Sequence, residues 1–273
     1  MEYTNYEGQT ALITGATSGI GLELAHCFAE DGYDIALVSR NITELKKVGK
    51  ELQDTYGVQT YEIAADLMQP GAAHELYEKI KHLGLRIDVL VNDAGQGIWG
   101  NFVDTDLDKE LDIIQLNISS VVVLTKLFLR EMVARNSGKI LQLASTASKA
   151  PSPLLSVYAA TKAFVYNFTQ GLINELKDTN VTMTALMPGP TNTDFFHKAG
   201  AEQTVVYLEA DLADPADVAR DGYEALQDGA TKVVSGFKNK VQSALSNFMS
   251  DEALAEQTRQ QMNPSEKEHK GIQ

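Results

Sequence analysis

The sequence is poor in the residues that build disulfide frameworks and metal sites. Cys27 is the only cysteine among 273 residues, so an intrachain disulfide is excluded. Its place on the apolar face of a helix-like segment predicts a buried, inert thiol. The five histidines, from His26 to His269, lack the spacing of metal ligands, and we expect no metal.

Basic residues and long apolar runs are also scarce. Lys and Arg number 23 against 37 Asp and Glu, a formal net charge of −14. This excess of acid argues against a nucleic-acid partner, because binding to phosphates needs clustered basic residues. The longest apolar run, residues 121–124, is too short to span a membrane, and residues 1–8 do not resemble a signal peptide. We therefore expect no membrane partner and a cytoplasmic location.

Apolar strand-like runs alternate with helix-like segments along most of the chain, a pattern typical of a parallel sheet with helices on both faces. The predicted strands cover residues 11–13, 35–38, 58–64, 87–91, 139–143, 181–186 and 232–235. The longer predicted helices cover residues 41–56, 70–83, 106–135, 157–177 and 214–227. The sequence thus predicts an α/β, Rossmann-like doubly wound sheet of about seven mostly parallel strands, with its ligand near the strand-order reversal.

A glycine-rich turn, Thr-Gly-Ala-Thr-Ser-Gly-Ile-Gly at residues 14–21, joins the first strand to the first helix. Glycines let the backbone approach a pyrophosphate closely, and the first turn of a helix presents free N–H groups and a positive dipole end. The turn alone does not distinguish this role from an ordinary tight connection. A dinucleotide site needs support from other residues.

Arg40 follows the second strand, where a unit that binds NAD carries an acidic residue for the ribose 2′-hydroxyl. A guanidinium group suits a 2′-phosphate instead, which favours NADP(H). The alternative is a surface arginine at the end of a strand.

Tyr158 and Lys162 are four residues apart on a predicted helix and share one face. An ammonium group nearby lowers the pKa of a phenol from about 10 and makes it a usable general acid or base. Ser145 ends the fifth strand, where a hydroxyl would face a ligand. Each feature by itself also fits an ordinary surface or strand-end residue.

Together these features resemble the short-chain dehydrogenase/reductase family in its single-domain form, over about residues 10–235. One departure concerns Asp93, where the family usually has asparagine, because an ionised carboxylate accepts hydrogen bonds but donates none. The resemblance is carried by Thr14-Gly15-x-x-x-Gly19-Ile20-Gly21, Asp66, Asn92-Asp93-Ala94-Gly95, Asn117, Ser145, Tyr158-x-x-x-Lys162 and Pro188-Gly189.

The resemblance implies a role for each catalytic residue. Ser145 would hydrogen-bond the substrate oxygen, and Tyr158 would donate a proton to it in reduction or accept one in oxidation. Lys162 would bind the nicotinamide ribose and lower the pKa of Tyr158. Asn117 would interrupt its helix and hold a water that links Lys162 to solvent.

The resemblance also implies a cofactor site, in which Asp66 bonds the adenine and Ala94-Gly95 let the backbone pass close to the cofactor. The implied NADP(H) contacts are Gly15, Thr17, Ser18, Gly19, Ile20, Gly21, Arg40, Asp66, Leu67, Asn92, Ala94, Gly95, Tyr158, Lys162, Pro188, Gly189 and Thr191.

The implied activity is NADP(H)-dependent reduction of a ketone or aldehyde, a small-molecule substrate that is largely apolar. The alternatives are an NAD-dependent alcohol dehydrogenase working in the oxidising direction and a non-catalytic NADPH sensor. Segment 191–208 would close over the substrate. The candidate pocket walls are Gln96, Ile98, Trp99, Leu154, Leu155, Phe195 and Phe196.

Residues 1–235 are expected to form a single dinucleotide-binding and catalytic domain. Residues 236–273 would add a helical extension and a polar tail that is disordered from Pro264. The helix around residues 121–129 is apolar nearly all round, and family members commonly associate through it and the helix that carries Tyr158. We therefore expect a homodimer or homotetramer.

Overall fold

A computed structural model describes residues 6–246 and 249–266, and these contain a seven-stranded, all-parallel sheet in the order β3-β2-β1-β4-β5-β6-β7. The predicted Rossmann-like, doubly wound α/β fold is confirmed. The strands are β1 (Thr10–Thr14), β2 (Asp34–Ser39), β3 (Thr60–Ala64), β4 (Val89–Asn92), β5 (Gly138–Leu143), β6 (Val181–Met187) and β7 (Lys232–Val234).

Helices connect these strands and follow the last one. The long predicted helix at 106–135 contains a π-helical segment, Gln115–Ser119, and a 3₁₀ turn, Thr146–Lys149, follows β5. The helices are α1 (Gly19–Glu30), α2 (Ile42–Tyr56), α3 (Ala72–His82), α4 (Leu107–Ile114), α5 (Ser120–Ala134), α6 (Ser156–Glu175), α7 (Phe195–Ala199), α8 (Val205–Glu209), α9 (Pro215–Gln227), α10 (Phe237–Leu245) and α11 (Asp251–Met262).

The alternation of side chains along each buried strand creates two cores, one on each face of the sheet. On β1, Ile13 packs with Leu24 and Phe28 of α1 on one face. Its neighbour Leu12 packs with Leu76 of α3 and Phe128 of α5 on the other face. Both faces of the strand are therefore apolar, which explains why the sequence shows continuous apolar runs rather than alternation.

The strand order reverses beside β1, because β2 pairs with one side of it and β4 with the other. Thr14 at the end of β1 is level with Val38 of β2 and Asn92 of β4. The chain segments that leave β2 and β4 lead away from this point to opposite sides, which opens a crevice at the carboxyl ends of the strands. The glycine-rich turn enters the crevice from one side, and Asp93 enters it from the other.

The predicted disorder from Pro264 is wrong for the first residues of the tail. Pro264 forms an antiparallel bridge with Thr204, and the N–H of Ser265 donates to the carbonyl of Gln203 at 2.7 Å. These backbone hydrogen bonds fix residues 264–266 in spite of their polar sequence. Residues 267–273, to which the same prediction applies, lie outside the described residues.

Gly21 in the first turn of α1 is required by close packing. A Cβ on Gly21 would lie 2.6 Å from the carbonyl oxygen of Gly15 and 2.5 Å from Oδ2 of Asp93. Real Cβ atoms do not approach other atoms this closely, so any side chain at position 21 would push the helix away from the turn. The glycine therefore sets how tightly α1 packs against the end of β1.

We expect Gly21→Ala to lower the free energy of unfolding by about 1–3 kcal/mol, as overpacking does in tight sites. Gly171→Ala is the matched control, because Gly171 lies in α6 with nothing within 4 Å of its added Cβ. That change should raise stability by up to about 1 kcal/mol, since alanine favours helix. Urea denaturation of both variants measures this difference. A Gly21→Ala protein as stable as the Gly171→Ala protein would contradict the packing argument.

Candidate active site

A cavity of about 950 Å³ lies at the carboxyl ends of the strands, between the glycine-rich turn and α6. Most of the residues implied by the sequence for cofactor and substrate binding line this cleft. From the predicted set, the lining includes Gly15, Ser18, Gly19, Ile20, Ala94, Gly95, Ser145, Tyr158, Lys162, Pro188, Gly189 and Thr191.

Ser145, Tyr158 and Lys162 converge on the floor of the cleft, although they come from two elements. Ser145 follows β5, where its Oγ accepts the N–H of Ala147 at 3.1 Å and donates to the carbonyl of Pro188 at 3.4 Å. The Ser145 hydroxyl also faces the phenol of Tyr158. Lys162, one helical turn further along α6, donates to the carbonyl of Leu143 at 2.6 Å.

The pKa of Tyr158 is raised to about 12, not lowered as the sequence predicts. Burial is the main cause because it disfavours the phenolate, and the carboxylate of Asp93 adds to the effect. The nearby hydroxyl of Ser145 acts in the opposite direction and lowers the pKa of the phenol. Lys162 lies 5.9 Å from the centre of the Tyr158 ring, with its ammonium group on Leu143. The phenol therefore keeps its proton at neutral pH in this state, and a proton donor requires that form.

Asn117 lies in the π-helical segment, so its helix is interrupted there, as the resemblance implies. Its amide donates to the carbonyl of Gln96 and to Oγ1 of Thr161, both at 2.9 Å, and accepts the N–H of Gln96 at 3.1 Å. A Cβ on Gly95 would lie 3.2 Å from Nζ of Lys162 and 3.5 Å from Oδ1 of Asn117. The backbone at Gly95 therefore passes directly beside both side chains.

Asp93 extends the charged network from Lys162 to the glycine-rich turn. Burial raises the pKa of its carboxyl to about 7, and the backbone N–H of Gly21, which faces the carboxylate, opposes that rise. The positive charges of Lys162 and Lys198 oppose that rise. Burial likewise lowers the pKa of Lys162, while the charge of Asp93 partly restores it.

The remaining predicted cofactor contacts lie outside the lining of this cleft. Asp66 accepts the N–H of Met68 at 3.2 Å, and Leu67 is buried in the core. Asn92 donates to Thr125 and Gln142 between the sheet and α5, with both distances 3.1 Å. Arg40 is exposed at the end of β2. Thr17 and Gly21 belong to the glycine-rich turn and are also outside the lining.

Polar groups without protein partners show that these residues fit a dinucleotide cofactor. In the described structure, Ser18 occupies the N-cap position of α1, but its side chain makes no capping hydrogen bond. The first turn of α1 also contains no acidic residue. The hydroxyl of Ser39, next to Arg40, is buried without a partner among the described residues. The helix N-terminus suits a pyrophosphate, and the end of β2 offers a hydroxyl and a guanidinium group for a phosphorylated ribose.

The substrate side of the cleft is partly what the sequence indicates. Leu155, Phe195 and Phe196 line it, and the rings of Phe195 and Tyr158 are 4.8 Å apart. The other proposed walls, Gln96, Ile98, Trp99 and Leu154, lie outside the described lining. Trp99 instead donates its indole N–H to the carbonyl of Met262 at 2.8 Å, which ties α11 to the loop after β4.

Helix α10 is the part of the site that sequence reasoning misses. Phe237, Val241 and Leu245 line the cleft, and the amide of Asn239 packs against Gly189. The spacing of the apolar residues predicts an amphipathic helix, but it carries no signal for the surface that the helix covers. Only the three-dimensional arrangement places α10 over the cleft.

Two relatives match this chain over about two thirds of its length. The very-long-chain 3-oxoacyl-CoA reductase of Anas platyrhynchos is 41% identical over 187 residues, which cover 66% of this chain and 59% of that protein. The 17-beta-hydroxysteroid dehydrogenase type 3 of Mus musculus is 36% identical over 191 residues, which cover 68% of this chain and 61% of that protein. This chain thus matches less than two thirds of the length of either relative.

A solved structure is similar over nearly the whole fold. It is a short-chain dehydrogenase from Sphingobium yanoikuyae in complex with NADPH, with a TM-score of 0.79 and 28% sequence identity. The match covers 89% of this chain and 95% of that one.

The expectation of a cytoplasmic location is wrong. It rests on the absence of an apolar stretch of spanning length, whereas the helix Leu107–Ala134, interrupted only by its π-helical segment, is long and apolar enough to cross a membrane by length and composition. Part of this helix is buried within the protein. Similar proteins are very-long-chain 3-oxoacyl-CoA reductases, which give no support to a cytoplasmic location. The expected absence of a membrane partner had the same basis, and this helix removes that basis as well.

The family model described as short chain dehydrogenase matches residues 9–220, which contain β1 to β6 and the residues that line the floor of the cleft. The match spans most of the chain and agrees with the parallel sheet, the glycine-rich turn and the cluster of Ser145, Tyr158 and Lys162. The chain belongs to the short-chain dehydrogenase/reductase family.

Proposed function

We propose that the protein reduces a ketone or aldehyde to an alcohol with NADP(H) as cofactor. The observation that carries this proposal is the convergence of Ser145, Tyr158 and Lys162 at the floor of the cleft, where burial raises the pKa of Tyr158 to about 12 and the phenol keeps its proton. A reduced carbonyl oxygen requires a proton, and this phenol is placed to supply it.

The bound nicotinamide would supply the hydride. The chain's own residues hold and protonate the substrate oxygen. The hydroxyl of Ser145 bonds that oxygen, and Tyr158 donates its proton as negative charge develops there. Lys162 is 6% exposed, and its positive charge stabilises the phenolate that remains.

The substrate that we propose has its carbonyl on a long apolar chain, such as a 3-oxoacyl thioester. Leu155, Phe195 and Phe196 provide an apolar wall beside Tyr158, and Val241 and Leu245 of α10 extend it. Burial of apolar surface there stabilises a long acyl chain by about 0.8 kcal/mol per CH₂ group. The names of the similar very-long-chain 3-oxoacyl-CoA reductases support the same class.

We propose that residues 1–235 form the dinucleotide-binding and catalytic domain and that the extension from residue 236 covers the cleft. We further propose a homodimer or homotetramer. Leu107 and Leu111 on α4 are 65% and 52% exposed, and Phe164 on the neighbouring α6 is 38% exposed. Burial of these side chains against a second copy would remove an apolar surface from water.

Tyr158→Phe should lower kcat by about 10²–10⁴-fold because it removes the general acid. The assay follows NADPH oxidation with 3-oxoacyl-CoA substrates of increasing chain length and with short ketones as comparison. NADPH affinity, measured by cofactor fluorescence, should be nearly unchanged. Wild-type turnover that rises with chain length supports the proposed substrate. Turnover that persists in Tyr158→Phe contradicts the role of the phenol, and tight NADPH binding with no wild-type turnover favours a sensor.

Arg40→Asp should weaken NADPH binding by roughly 10–100-fold, the value of a lost charge-assisted hydrogen bond, and should leave NADH binding much less affected. Arg130→Asp is the matched control. Arg130 is exposed near the end of α5, at the amino-terminal ends of the strands, whereas the cleft lies at their carboxyl ends. Titration of each protein with both cofactors measures the change. Equal losses for NADPH and NADH would show that Arg40 does not bind the 2′-phosphate.

A further inference from the structure

Asp93 occupies an unusual place, because a carboxylate from the end of β4 packs into the glycine-rich turn that begins α1. A Cβ on Gly15 would lie 2.8 Å from Oδ2 of Asp93, and a Cβ on Gly21 would lie 2.5 Å from it. The backbone N–H of Gly21 faces the same carboxylate and stabilises its charge. Its side chain therefore fills the space between the turn and the helix.

This contact makes Asp93 the anion at the N-terminus of α1. Helix N-termini attract negative charge, usually from a capping side chain or an acid in the first turn. In the described structure of α1, Ser18 makes no such cap and the first turn has no acid. The N–H of Leu22 donates to the carbonyl of Ser18 at 3.4 Å, and that of Gly21 faces the carboxylate of Asp93. A residue distant in sequence thus takes the place of a local acidic partner.

The proposed cofactor has its pyrophosphate at the same helix terminus. An ionised Asp93 would repel that dianion and hold one of the N–H groups available to it, whereas a protonated Asp93 carries no charge. Carboxylate and pyrophosphate therefore compete for the first turn of α1.

The other groups that face Asp93 decide when it is ionised. Lys162 on α6 and Lys198 on α7 both attract its negative charge, and Tyr158 on α6 senses that charge in turn. Thr14 on β1 bonds the backbone of Asp93, whose N–H donates to its Oγ1 at 3.1 Å. Burial outweighs the two lysines and raises the pKa of Asp93 to about 7. Small changes in local charge near neutral pH therefore change its protonation.

We propose that Asp93 makes cofactor affinity depend on pH, because the protein takes up a proton on this carboxyl group when the pyrophosphate binds. The inference rests on the proposed function, in which the cleft binds NADP(H). Asp93 is a positioning residue, because it acts through the N–H of Gly21 and the charge of Lys162. Its protonated form leaves the helix terminus to the cofactor, and its ionised form opposes binding.

The test compares the wild-type protein with Asp93→Asn, which keeps the size and the acceptor oxygen but removes the charge. Calorimetry gives the Kd for NADPH between about pH 6 and about pH 9, in buffers of different ionisation enthalpy. Bound pyrophosphate raises the pKa of Asp93, so wild-type affinity should fall as pH rises above about 7, by a factor that approaches about tenfold per pH unit. The wild-type protein should also take up more protons on binding than the variant.

The 2′-phosphate of NADPH titrates near pH ~6, but this contribution is the same for both proteins and cancels in their difference. Asp178→Asn is the matched control, because it removes an exposed charge just before β6, at the amino-terminal ends of the strands and away from the cleft. Asp178→Asn should follow the wild-type profile and Asp93→Asn should not. Parallel profiles for all three proteins overturn the role of Asp93. Absence of NADPH binding in all three overturns the proposed function.

A second measurement, thermal stability against pH without cofactor, separates the loss of the Asp93 charge from general damage to the fold. Because the pKa of Asp93 is higher in the folded than in the unfolded chain, the folded protein holds the proton longer. Wild-type stability should therefore fall as pH rises from about 4 to about 7, where Asp93 ionises. The melting temperature of Asp93→Asn should lack this part of the decline and should exceed that of the wild type at higher pH. Equal declines in both proteins overturn the inference. If Asp93→Asn does not fold, Asp93→Ser provides the same loss of charge.

Discussion

The close contact between the glycine-rich turn and the end of β4 is the constraint on which the rest of the site depends. Thr14 maintains it from the end of β1, since its hydroxyl donates to the carbonyl of Val91 at 3.3 Å and accepts the N–H groups of Asp93 and Ala94, both at 3.1 Å. These bonds replace the ladder of the sheet at the point where β1 and β4 diverge. The crevice therefore opens with its backbone groups already fixed.

This contact also explains why charged groups can remain in the cleft. An isolated buried charge is unfavourable, and proteins compensate with a partner or with a change in protonation. The ammonium group of Lys162 donates to the carbonyl of Leu143 and lies beside Gly95. The negative charge of Asp93 also stabilises it. The carboxylate of Asp93 in turn faces the backbone N–H of Gly21. The proposed proton donor, the proposed ribose contact and the helix terminus thus belong to one electrostatic network that crosses the strand-order reversal.

Local sequence patterns predict the parts of the structure that depend on nearby residues. The alternation of apolar strands and helices predicts the sheet, and the spacing of Gly15, Gly19 and Gly21 predicts the turn. The four-residue interval between Tyr158 and Lys162 places both on one side of α6. Each of these patterns is set by backbone geometry over a few residues, so a single sequence contains the information.

The properties that the sequence misses depend on residues far apart in the chain. The pKa of Tyr158 is governed by burial in a cleft lined by strands, helices and loops that are distant in sequence, so the neighbouring lysine alone gives the wrong direction. The position of α10 over the cleft, the bond from Trp99 to Met262 and the pairing of Pro264 with Thr204 likewise join distant segments. The sequence predicts a long helix at residues 106–135, but its apolar residues occur in short runs, which is why a search for one continuous apolar run misses that the whole helix is apolar enough to cross a membrane.

The crevice beside β1 and β4 is the proposed site of the dinucleotide. Hydrogen–deuterium exchange of the full chain, with and without NADP⁺, tests it most directly because it reports on backbone amides without any need for a substrate. Binding there predicts slower exchange at residues 15–21, at residues 94–95 and around Gly189 and Thr191, with no change at residues 79–82 in the last turn of α3, at the opposite ends of the strands. Unchanged exchange at the glycine-rich turn, with protection elsewhere, would contradict it.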